Sequence, residues 1–96
     1  GGFVMKAYVV TYDLNRPGRN YPELWAAIKS YGTYYRIQGS VWLIQTSRSA
    51  AQVRDHLRQH IDASDTLFVG RLSGEAAWAG QLDSAWLKDV LESAHA

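Results

Sequence analysis

The chain has 96 residues, of which 47% are hydrophobic and 20% charged, with a formal charge of +1 and no cysteine. That length fits one compact domain, burying roughly 60–65% of the surface the unfolded chain exposes, and leaves no room for a second. The missing cysteines exclude disulfides, thiolate catalysis and cysteine-based zinc sites, and the near-neutral charge excludes nucleic-acid binding by bulk attraction alone. No apolar run approaches the ~18 residues of a membrane span, so a soluble protein is expected. Gly1-Gly2-Phe3-Val4 reads as a cloning remnant ahead of a natural start at Met5, which makes residues 5–96 the domain. With no secretory signal in view, a cytoplasmic location is the expectation.

Lys6 to Asp13 reads as a strand. Ala7, Val9 and Thr11 share one face and Tyr8, Val10 and Tyr12 the other, so both faces are fairly apolar. In a chain this small, helices are expected to cover only one side of a sheet, which suggests a partner subunit against the other. Asn15 to Asn20 is a loop by its Pro-Gly and asparagine content, and it carries Arg16 and Arg19. A helix follows, with capping-box spacing between Asn20 and Glu23, Pro22 in the first turn, an inner stripe of Leu24, Ala27, Ile28 and Tyr31, and Gly32 as its stop.

Thr33 to Gln38 and Ser40 to Thr46 form a hairpin around Gly39, with Val41, Leu43 and Gln45 opposite Trp42, Ile44 and Thr46. Ser49 and Gln52 open a second helix whose Val53, Leu57 and Ile61 recur once per turn. Asp62 to Asp65 is its exit turn, and Thr66 to Leu72 a further strand. Glu75 to Gly80, around Trp78, is expected to be an edge strand. Asp83 caps a last helix with Trp86, Leu87, Val90 and Leu91 on one face.

The order βαββαβ with two amphipathic helices folds most simply as an α+β ferredoxin-like sandwich, extended here by a C-terminal edge strand and an added C-terminal helix. The uncovered sheet face is then assigned either to homodimer contact or to stacking of single-stranded bases on the many tyrosines and tryptophans.

A hydrophobic strand ending in Tyr12-Asp13-Leu14, an arginine-bearing loop, a helix ending in glycine and then Gln38-Gly39-Ser40-Val41-Trp42 form a combination that resembles a known superfamily. It is similar to the second CRISPR-associated protein, a small dimeric endoribonuclease-type subunit of spacer adaptation, and to virulence-associated protein D. The resemblance spans roughly residues 5–72. It implies a homodimer in which Asp13 of each chain lies near its twin and helps hold magnesium or manganese for cleavage of RNA or DNA. It further implies that Tyr12 and Leu14 flank that aspartate, that Arg16 or Arg19 supplies the nearby basic position, and that Gln38, Ser40 and Val41 form the polar entry to the third strand. The family's C-terminal strand corresponds at best to residues 75–80, and the helix after Asp83 lies outside the common core, so partnership with an adaptation integrase is not expected.

The chemistry agrees with that assignment in outline. Phosphodiester cleavage needs an activated water and neutralisation of developing charge, which a hard cation held by carboxylate oxygens provides. One aspartate per chain is a poor site, and two across a dimer axis make a better one. Arg16 and Arg19 would hold substrate phosphates, with Tyr12 and Ser40 in support. The competing reading is a non-catalytic dimeric module that binds nucleic acid or protein, in which Asp13 closes the turn after the strand by accepting backbone N–H groups. His56 and His60 have the spacing of a helical metal pair but lack an accompanying motif, and are read as ordinary surface or partly buried histidines.

Overall fold

Strand β1, Lys6–Asp13, lies in the middle of the molecule with an antiparallel neighbour on each side. The computed structural model of the chain describes residues 4–15 and 21–93. After β1 come α1 (Tyr21–Lys29), β2 (Thr33–Gln38), β3 (Val41–Thr46), α2 (Ala50–Arg58), β4 (Thr66–Leu72) and α3 (Ser84–Ser93). The result is a mixed α+β domain with a four-stranded antiparallel sheet, ordered β2-β3-β1-β4, and three helices.

Local chemistry fixes the element ends. The Asn20 cap lies outside the described residues, but Gly32 ends the first helical segment at φ 86°, a backbone state that glycine enters without steric cost, and its N–H donates to the Lys29 carbonyl at 3.0 Å. Ser49 and Gln52 form the full reciprocal capping box at α2, with bonds of 3.1 and 2.9 Å. Asp83 caps α3 by accepting from the Trp86 amide at 3.0 Å.

Alternation along β1 splits the core in two. Tyr8, Val10 and Tyr12 join Trp42 and Ile44 of β3 against Leu24, Ala27 and Ile28 of α1 and Val53 and Leu57 of α2. Ala7 and Leu43 point the other way, where Leu87, Val90 and Leu91 of α3 cover them, with Val9, Leu72 and Trp86 alongside. Burying each of those α3 side chains is worth about 1.5–3 kcal/mol.

Two expectations are corrected here. The face opposite α1 and α2 is not left for a partner: α3 returns onto it, because its apolar stripe finds an apolar sheet surface within reach of the 73–83 connection. The homodimer thereby loses the argument drawn from the sheet face. The expected edge strand is also absent. Residues 75–80 pair with no strand, being bounded by Gly74 at φ 110° and Gly80 at φ 99°. Trp78 instead packs into the α3-side cluster and donates its indole N–H to Ser84 Oγ at 3.0 Å. Among the described residues, no helix is long and apolar enough to cross a membrane.

Candidate functional site at the end of the central strand

The last residues of β1 meet the β2–β3 turn and the α2–β4 turn at one end of the sheet. The Tyr12 amide donates to the Ser40 carbonyl at 3.2 Å, which brings exposed Ser40 alongside the end of β1. Asp13 pairs in register with Thr66 of β4 and is exposed. Its carboxylate has no hydrogen-bonding or ion-pairing side chain among the described residues. Tyr12, Asp13 and Ser40 are therefore gathered together, whereas Arg16 and Arg19 lie outside the described residues.

Turn closure, offered to Asp13 by the competing reading, is performed by Asp65. One of its carboxylate oxygens accepts the Asn15 amide and the other the Asp62 amide, each at 2.8 Å. The Asn15 side chain also donates to the Ser64 carbonyl. These bonds tie the exit of β1 to the 62–65 turn, and they leave the Asp13 carboxylate uninvolved. Tyr21 sits in the field of this group: its phenol is pushed above the ordinary tyrosine value by burial first, then by the negative charges of Asp65 and Asp13.

Tyr12 itself is a buried hub. Only 6% of its surface is exposed, and its hydroxyl oxygen accepts the indole N–H groups of Trp25 at 2.9 Å and Trp42 at 3.1 Å. Above those indoles lies Arg36, its guanidinium carbon 4.6 Å from the Trp25 ring centre and 5.5 Å from that of Trp42. Arg36 Nε and Nη2 donate to the Gly39 carbonyl at 3.0 and 2.6 Å, which fixes the guanidinium over the rings on an exposed residue. Tyr34, two residues earlier on β2 and 40% exposed, packs against Trp42 with ring centres 6.1 Å apart.

A divalent-cation site does not fit this end of one chain. Asp13 offers a single carboxylate, both oxygens of Asp65 already accept backbone N–H groups, and no group of three His, Cys, Asp or Glu side chains among the described residues could hold a metal ion. The histidine pair is engaged elsewhere, between α1 and α2. His56 Nδ1 shares a 2.8 Å hydrogen bond with the Tyr31 hydroxyl, and His60 Nδ1 lies 3.9 Å from Glu23. Burial lowers the His56 pKa, helped by the positive charges of His60 and Arg48 nearby.

Sequence reasoning did not single out Trp25, Arg36 or Asp65. Arg36 opposite Trp42 was countable from the hairpin around Gly39. The Asp62-x-x-Asp65 spacing carried the signature of an aspartate-closed turn. Trp25 over the same arginine requires the packing of α1 on the sheet, for which the chain holds no local signal. No protein-family model and no solved structure matches the chain.

Proposed function

We propose that the chain is a non-catalytic module of the ferredoxin-like type that binds single-stranded nucleic acid at the Asp13 end of its sheet. The strand order β2-β3-β1-β4, with α1 and α2 together on one face, supports that fold reading, as does the convergence of the Tyr12-Asp13-Leu14 and Gln38–Trp42 segments that carry the superfamily resemblance.

The observation that carries the functional reading is the Arg36 guanidinium held over Trp25 and Trp42 beside exposed Tyr34. A pre-ordered guanidinium edge takes phosphate oxygens with little loss of side-chain freedom. An exposed ring beside it offers a stacking surface for an unpaired base, worth about 1–3 kcal/mol per base. Duplex would be bound poorly, because its bases are already stacked.

Titration of labelled single-stranded RNA and DNA tests this. Arg36→Ala and Tyr34→Ala are each expected to weaken binding by about tenfold. Absence of binding by the wild type, or unchanged binding by both variants, would overturn the reading.

A second reading, metal-dependent phosphodiesterase action, rests on the exposed Asp13 carboxylate and needs the Asp13 of a second copy. Incubation with RNA and DNA in magnesium, manganese or chelator decides it. Cleavage that is lost in Asp13→Ala would replace the binding module with an enzyme.

A further inference from the structure

Strand β4 ends the sheet, and none of the described residues pairs with its outer edge. Beside that edge runs a groove against α2. It has two cavities: one of about 380 Å³ lined by Arg54, Arg58, Ile61 and Leu67 with the 62–65 turn, the other of about 230 Å³ lined by Ala50, Ala51, Arg54 and Leu67–Val69. Arg54 and Leu67 border both, so the two make one channel along the strand.

We propose that this channel binds an extended acidic segment of another protein, which adds to the sheet as a fifth strand on β4. Three observations point to that occupant. An edge strand offers a row of backbone donors and acceptors that another extended chain can pair with along its length. The channel floor alternates as such a chain requires, with Leu67 and Val69 facing the α2 side and small Ala50 and Ala51 leaving room for the incoming side chains.

Charge supplies the third. Arg54 and Arg58 share a single carboxylate, Asp55, at 2.9 and 3.9 Å, and Arg71 is exposed further along β4. At the far end, Asp65 is committed to backbone amides and Asp62 already has an interaction of its own. Among the described residues lining the cavity of about 230 Å³, Arg54 is the one that is charged, so that stretch of the channel is positive and suited to a carboxylate between apolar positions. A second copy of the chain fits poorly, because antiparallel pairing of two β4 edges would set the α2 arginines of both copies side by side.

The channel begins at the 62–65 turn beside the Asp13 end and runs along β4, on the other side of the sheet order from Arg36 of β2, so its test uses different substitutions. A phage-displayed random heptapeptide library is selected against the full chain, and enriched peptides are re-measured as synthetic fluorescein-labelled probes. The proposal expects enrichment of sequences with an acidic residue between alternating apolar ones. Binding should fall at least about tenfold in Arg54→Glu/Arg58→Glu and in Ala51→Trp, which fills the channel. It should be unchanged in Arg36→Ala. Circular dichroism checks that each variant is folded, and all four substituted positions are exposed. Failure to enrich peptides, or enrichment of peptides insensitive to both variants, overturns the proposal. So does a homodimer that dissociates in the same variants, or labelled single-stranded RNA as the only probe whose binding follows Arg54 and Arg58.

Discussion

The two faces of the sheet are built differently. On the α1/α2 side, Tyr8, Val10, Trp42 and Ile44 meet Leu24, Ile28, Val53 and Leu57 in a layer where no residue named is more than 2% exposed. On the α3 side, buried Leu43, Leu87 and Leu91 are ringed by half-buried Val9, Tyr35, Ile37, Trp78, Leu82 and Trp86, and a cavity of about 220 Å³ remains among them. Phe68, on that side by its register with Thr11, stays 62% exposed and lies over Gly70. Helices connected directly to neighbouring strands make the first face. The second is closed by a helix at the end of an irregular connection, so it packs less completely. The difference teaches that the closed face is where rigid side-chain geometry is available, and it is on this face that Tyr12, Trp25, Arg36 and Trp42 are organised.

The comparison can be broken by substitutions on each side. Ile28→Ala should cost most, about 3–5 kcal/mol in chemical denaturation, since a fully enclosed site cannot collapse around the lost atoms. Leu87→Ala on the α3 side should cost less, about 2–3 kcal/mol, because its surroundings are already partly open. Equal losses would erase the distinction.

Tyr12→Phe removes the acceptor of two indole N–H groups while keeping the ring, and is expected to cost about 1–3 kcal/mol. It should also loosen the seat of Arg36, read as weaker nucleic-acid binding. Asp65→Ala should cost about 1–2 kcal/mol by freeing the Asn15 and Asp62 amides.

The smallest effect is the pH dependence from His56 on the closed face. Its folded pKa lies below the ordinary 6.5, so the unfolded chain binds the proton more readily. The associated stability is complete above pH 6.5 and declines as pH falls from there toward the folded value. His56→Gln should remove that part of the decline, as followed by melting temperature between pH 7.5 and 5.5.

Much of the architecture was legible because its signals are local. The alternation of Lys6–Asp13, the stripe of Leu24, Ala27 and Ile28, and the Ser49/Gln52 box each depend on neighbours within one turn or one strand. The surface that α3 meets was not legible, since an amphipathic stripe states that one face is buried and not against what. The misread strand at residues 75–80 has a similar cause. An aromatic between short residues suggests extended pairing, but Gly74 and Gly80 turn the chain, and Trp78 gains more by packing under α3 than by joining an edge.

At the site, Asp13 was visible as a carboxylate ending a central strand. The reason its carboxylate is spared from closing the turn lies fifty-two residues away in Asp65, beyond any local pattern. The Trp25–Arg36–Trp42 stack likewise joins α1, β2 and β3, and appears only once those elements pack.

The four tryptophans divide evenly between the faces, with Trp25 and Trp42 on the α1/α2 side and Trp78 and Trp86 on the α3 side. Their indole N–H resonances, followed while the ¹⁵N-labelled chain is titrated with single-stranded RNA, test the central claim most directly. The account predicts that Trp25 and Trp42 shift in wild type and need about tenfold more RNA to shift in Arg36→Ala, while Trp78 and Trp86 stay in place. Movement of Trp78 and Trp86 alone, or of none of the four, would contradict it.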